Sequence, residues 1–193
     1  MKAIKKIIKN VDRMRANSRK MAMYRNLPIA RETFALLEEL DDPDEGPLGK
    51  ALACNAMLHE LSEYDTPRFV LQLLRREKEW LEESEEKSED LTAEEVQHEI
   101  EKLEAYIDVD GITPDEFCEK YGRYLRFDPV ERWPLWEEIW YEVEEECDRR
   151  TKGQPRGMGF CFAYWSAKRA VLSSKYGIDW RSPNMMNPRV MFD

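Results

Sequence analysis

The chain has 193 residues, 42% of them hydrophobic and 11% aromatic, with 36% charged residues, a net charge of −10 and a mean hydropathy of −0.73. So much apolar side chain excludes a disordered chain, and a length like this buries roughly 70% of the unfolded surface, enough for a single domain with a real core, residues 1–193. No stretch approaches the ~20 apolar residues of a membrane span and the start lacks an apolar secretion signal, so no membrane is expected.

The net charge averages over three blocks. Residues 1–25 carry nine Lys/Arg against one acid, residues 26–148 carry 12 against 37, and residues 149–193 carry nine against two. Two basic ends on an acidic body must neutralise one another or meet partners of opposite sign. Cys54, Cys118, Cys147 and Cys161 form no close pair and sit among apolar neighbours, which fits reduced, buried thiols in a cytoplasmic protein. The basic start also resembles an organelle transit peptide, but it holds one Ser before Arg19 and no cleavage-like boundary.

From Lys2 to about Tyr24, Ile4, Ile7, Val11, Met14, Ser18 and Met21 make one narrow stripe on an otherwise basic helix. Asn26-Leu27-Pro28 ends it, because a residue before proline is pushed out of helical geometry. A helix from Pro28 to Leu40 is expected to bury Phe34, Leu37 and Leu40, followed by a turn at Asp41–Gly49. Leu48, Leu52, Leu58 and Leu61 mark the next helix, and Thr66-Pro67 opens another carrying Val70, Leu73, Leu74 and Leu81 inward. The run Glu82 to Asp90 is too polar to pack, so it is a frayed helix end or a solvated connector.

Thr92 and Glu95 have the spacing of a capping box, and the helix they open buries Val96, Ile100, Leu103 and Ile107. Thr113 and Glu116 repeat the device before a helix through Phe117, Tyr121 and Tyr124. After Asp128-Pro129, a helix places Trp133, Trp136, Trp140, Val143 and Cys147 on one stripe beside an acidic face. Gly153 to Gly159 reads as a loop, and Phe160 to Tyr176 as a helix burying Phe160, Tyr164, Ala167 and Val171, although alternation at Phe160, Phe162 and Tyr164 leaves a short strand open. Fourteen of the 21 aromatics lie between Phe117 and Trp180, which puts the main core there. The tail, with Trp180, Met185, Met186, Val190, Met191 and Phe192, is too apolar to stand free in water. The expected fold is all-α: about seven or eight helices in one irregular domain, with an extended C-terminal tail.

Three fragments resemble chemical motifs and fail on their residues. Aligning Gly111 with the turn glycine of a calcium-binding EF-hand loop puts Tyr106 and Phe117 at the end ligand positions, so the segment reads as an acidic turn before a capped helix. Glu95 and His98 have metal-ligand spacing on a helix, but a di-iron bundle needs two such pairs and His59 supplies no second. Arg156-Gly-Met-Gly-Phe-Cys-Phe162 shares the opening of an RNA-binding octamer, yet Met158 stands where a stacking ring belongs. No catalytic residue, metal site or cofactor is assigned.

The remaining candidates are charged surfaces. Lys5, Lys6, Lys9, Arg13, Arg15, Arg19 and Lys20 offer a cationic helix face, while its apolar stripe offers a seam for a homodimer. Arg149, Arg150, Lys152 and Arg156 surround a glycine-rich loop before a helix, an arrangement that suits an anion or pairs with nearby acids. The acids of Glu77 to Glu104 and of Glu137 to Asp148, with Glu137, Glu138, Glu142 and Glu145 foremost, offer the opposite charge. The acids outweigh the basic ends and no base-reading motif accompanies those ends. The first expectation is therefore a non-enzymatic interaction protein with a basic protein partner, including a phage-type inhibitor that mimics nucleic acid. Nucleic-acid binding through the basic ends is the second, and a metal-dependent enzyme a remote third.

Overall fold

Apolar residues at three- and four-residue spacings, punctuated by proline and glycine, dictate helices, and every regular element among the described residues is helical. The structure is a computed structural model and describes residues 2–40 and 46–192. The α-helices are α1 (Lys2–Arg19), α2 (Asn26–Glu38), α3 (Pro47–Leu58), α4 (Pro67–Glu83), α5 (Ala93–Ile107), α6 (Pro114–Tyr121), α7 (Pro134–Arg150), α8 (Phe160–Tyr176) and α9 (Pro183–Met186). Short 3-10 turns occupy Met23–Arg25 and Pro129–Arg132. The all-α expectation holds, and the segment left open as a strand is the first turn of α8.

Packing gathers the chain into two compact units, Met1–Glu104 and Ala105–Asp193. The acidic block 26–148 runs across their boundary, while one basic block falls in each unit.

In the first unit α1 packs on α2 and α3, and α3 on α4. Ile7, Val11 and Met14 are buried, and buried Asn10 donates to Thr33 Oγ1 at 3.0 Å and Glu32 Oε2 at 2.9 Å. This contact fixes which way α1 faces. The stripe stops short of its expected end: α1 closes at Arg19, and Met21, with a left-handed φ of 55°, is 77% exposed. The second helix opens at Asn26, two residues before the expected Pro28, so Pro28 lies inside the first turn of α2, where its missing N–H has no intrahelical acceptor to lose. Fully buried Asn26 ties this corner together, donating to Met14 O, Ser18 Oγ and Glu60 O and accepting from Asn17 at 2.9 Å.

The expected turn after Leu40 falls partly on residues 41–45, outside the described residues, while Pro47, Leu48 and Gly49 already belong to α3. The buried side of α3 is Ala51, Cys54 and Met57, continued by Leu61; Leu52, expected inward, is exposed. Thr66 does not cap α4 through its side chain but donates to Ser62 O at 3.2 Å. Val70, Leu73, Leu74 and Leu81 are buried as the spacing predicts, with Phe69 and Trp80 beside them. Of the 36 buried apolar side chains among the described residues, 24 lie before residue 105, so the main core is not the aromatic-rich last third. Aromatic count misleads because Tyr124, Trp133 and Phe162 remain exposed.

In the second unit α7 packs on α8 around Trp136, Ile139, Val143, Cys147, Val171, Leu172, Ile178 and Trp180. The capping box of α6 forms between Thr113 and Glu116, and Gly122, with φ 66°, ends the helix at Tyr121, leaving Tyr124 beyond it in solvent. Trp133 precedes α7 and is exposed, unlike the rest of its expected stripe. Arg132 is almost wholly buried and donates to the carbonyls of Ala105, Tyr106, Asp108 and Ile112, closing the C-terminal end of α5 from a distant part of the chain. In the tail, Asn187 donates to Arg126 O at 2.8 Å and accepts from Arg126 N at 2.9 Å, so this part packs on its own unit, while Met191 is 96% exposed.

Candidate functional site

Five of the nine cations in the C-terminal basic block pair with acids of α7. Glu146 accepts from Arg149 at 2.6 Å and Arg150 at 2.7 Å, and these hydrogen bonds, Arg149 first, hold its carboxyl down to about 2. Asp148 pairs with Arg156. Glu144 takes the Lys168 ammonium at 2.8 Å and the Tyr164 hydroxyl, whose pKa is driven far up by burial and then by the Glu144 charge. Lys168 itself is buried between two indoles, 4.8 Å from the Trp136 ring centre and 5.3 Å from that of Trp180. Glu142 accepts from Tyr176 at 2.9 Å with Lys175 at 4.0 Å, and Asp128 takes both the backbone N–H and Nε of Arg181 at 2.9 Å.

Of the sequence-predicted anion loop, only Lys152 keeps an exposed charge with no ion pair among the described residues. Glu137, expected on the surface, is buried, leaving Glu138 and Glu145 as exposed α7 acids without an ion pair there.

Glu77 is a further correction. It stands on the inner side of α4 with no exposed surface, and neither carboxylate oxygen has a hydrogen-bond partner. Burial pushes its pKa up to about 7, against a smaller opposing influence from Asn55, and burial together with the Glu77 charge raises the neighbouring Cys54 thiol well above its usual range. Glu77 therefore belongs to the core and not to an acidic surface.

What remains outside is the connector from α4 to α5. Leu81 and Leu91 are buried at its two ends and Ser84 between them, so the polar run is anchored rather than a frayed helix. Lys87 donates to Ser84 O at 3.4 Å, Asp90 N to Ser88 Oγ at 3.2 Å, and Thr92 and Glu95 close their capping box at 3.0 and 3.2 Å. That box consumes Glu95, while His98 faces solvent. Glu85, Glu86, Glu89, Asp90 and Glu94 are exposed without an ion pair among the described residues. Around them Leu81, Glu82, Glu86, Lys87, Ser88, Leu91, Thr92 and Ala93 line a pocket of about 230 Å³. A polar run flanked by single leucines signals the connector in the sequence; nothing there signals the pocket.

On α1, Lys6 pairs with Glu32 at 2.8 Å and Arg15 with Asp12 at 3.4 Å, whereas Lys5, Lys9, Arg13, Arg19 and Lys20 are exposed without an ion pair among the described residues. The middle of the apolar stripe offered for a dimer, Ile7, Val11 and Met14, is buried in the chain's own fold, where α1 packs on α2 and α3. Among the described residues no group of three His, Cys, Asp or Glu is placed to hold a metal ion, and no helix is long and apolar enough to cross a membrane. Comparison with family models, with curated proteins and with solved structures returns no match.

Proposed function

We propose that this protein is a non-enzymatic helical interaction module that presents an acidic surface to a basic protein partner. The observation that carries the reading is the anchored α4–α5 connector: it and the start of α5 expose five carboxylates without an ion pair among the described residues, and one of these, Glu86, lines a pocket with Leu81, Leu91, Ala93, Lys87 and Glu82, the last paired with Lys78 at 2.9 Å. A long basic side chain suits that shape, because its methylene stem lies on apolar surface while its cation stays at an acidic rim. Carboxylates held in place also attract a basic partner before contact, giving fast and salt-sensitive association. An inhibitor that offers carboxylates where a nucleic-acid enzyme expects phosphates is one form of this role. Four free thiols fit a cytoplasmic setting.

The test is capture from native lysate by tagged full-length protein, with nuclease present and absent, beside a Glu82→Gln/Glu86→Gln/Glu89→Gln variant. A nuclease-resistant basic protein at near-equal stoichiometry, released by high salt and missing from the variant, is the expected result. Capture of nuclease-sensitive nucleic acid alone, or of a protein the variant holds equally well, overturns the reading.

A further inference from the structure

We propose that α1 is a docking surface for the sugar-phosphate backbone of nucleic acid, without regard to sequence. The proposal is independent of the acidic-surface reading and rests on how α1 is seated. Its inner side is fixed by buried Ile7, Val11 and Met14 and by the Asn10 contacts to Glu32 and Thr33, so its outer side is committed to solvent. At 100° per residue, Lys2, Lys5, Lys9 and Arg13 fall within an arc of about 80° on that outer side. All four are exposed and none forms an ion pair among the described residues. The only acid of α1, Asp12, is already engaged by Arg15 at 3.4 Å.

At 1.5 Å per residue the row is about 16 Å long, comparable to the axial length over which one strand of B-form DNA sets out about five phosphates. A lipid surface fits less well. A helix lying on a bilayer must bury its apolar side in lipid, and here that side is occupied by α2 and α3. Lys2, Lys5, Lys9 and Arg13 stand without an Asn or Gln among them to pair with adenine, and four cations in a row suit phosphate contacts, which position without specifying.

Residues 1–104 carry 17 Lys/Arg against 24 Asp/Glu, so attraction must be local to α1 and is expected at low ionic strength. With about four phosphates neutralised, the slope of log K against log salt is about −3.6, and affinity falls about 150-fold between 50 and 200 mM salt.

The experiment titrates full-length protein into a fluorescein-labelled duplex of arbitrary sequence and, separately, into vesicles containing phosphatidylserine. Saturable duplex binding with that slope is expected. Lys5→Glu/Lys9→Glu is expected to weaken it more than tenfold and roughly halve the slope, while Lys5→Arg/Lys9→Arg and Lys152→Glu leave it intact. Unchanged circular dichroism shows that these exposed substitutions do not unfold the chain. Absence of duplex binding at 50 mM salt, duplex binding indifferent to the α1 charge reversal, or α1-dependent binding to vesicles alone overturns the proposal.

Discussion

Replacing Glu77 by Gln should stabilise the protein at alkaline pH and leave it nearly unchanged in acid. The carboxyl is wholly buried without a hydrogen-bond partner, and its pKa rises from 4.5 to about 7 on folding. The folded state thus holds a proton that the unfolded state releases. Stability from this group is unaffected below pH ~4.5, falls as pH rises toward 7, and stays lowered above it. A shift of that size is worth about 3 kcal/mol at pH 8, at 1.36 kcal/mol per unit. The amide that replaces the carboxyl cannot ionise, so the variant escapes that cost while keeping nearly the same side-chain volume. Cys54, the neighbouring thiol, is held neutral across this range and adds no slope of its own. Urea denaturation followed by circular dichroism at pH 5, 6.5 and 8 measures the difference between the two proteins, which cancels the titration of other carboxylates. With a urea slope of about 2 kcal/mol per molar, the midpoint of the variant should lie about 1 to 2 M higher at pH 8. A difference that does not grow with pH, or a variant less stable at every pH, would refute the reasoning.

Arg132→Met leaves four carbonyls, that of Tyr106 buried, without this donor and is expected to cost about 3 kcal/mol in urea denaturation, with Arg132→Lys a poor rescue because one ammonium cannot span the same fan of acceptors. Gly177 ends α8 at φ 66°, so Gly177→Ala should cost roughly 1 kcal/mol in the same assay. In native protein, a mild alkylating reagent followed by mass spectrometry should label partly exposed Cys161 and Cys118 well before buried Cys54 and Cys147, the last with a thiol pushed up to about 12 by burial. Equal labelling of all four would show that these helix contacts open readily.

The helices were legible where local chemistry decides them. Both capping boxes, Thr92 with Glu95 and Thr113 with Glu116, form as their spacing predicts, and Pro67, Pro114 and Pro134 each sit in a first helical turn. Sequence reasoning failed where the outcome depends on the rest of the chain. Pro28 reads equally as a stop and as a first-turn residue, and the break falls earlier, at left-handed Met21. Leu52 faces water because the buried side of α3 is the one that carries Ala51, Cys54 and Met57. The same limit governs charge. Counting acids and bases cannot tell that Glu146 and Asp148 are consumed by Arg149, Arg150 and Arg156, that Glu77 is inside, or that the connector acids remain outside. Arg132 and Lys168 carried no signal at all, since each is defined by partners 12 or more residues away.

Trp80 gives the first unit a built-in optical probe. It is the only tryptophan before residue 105, it is buried, and it follows Glu77 by one helical turn on the same inner side of α4, with the Arg76 guanidinium 4.8 Å from its ring centre. The emission of an indole responds to nearby charge, so a single-tryptophan protein that keeps Trp80 and carries Phe at the other five positions would report the loss of the Glu77 proton as a change in colour or intensity, without unfolding the chain. The spectroscopic handle and the ionisable group were placed together by the fold, on successive turns of one helix.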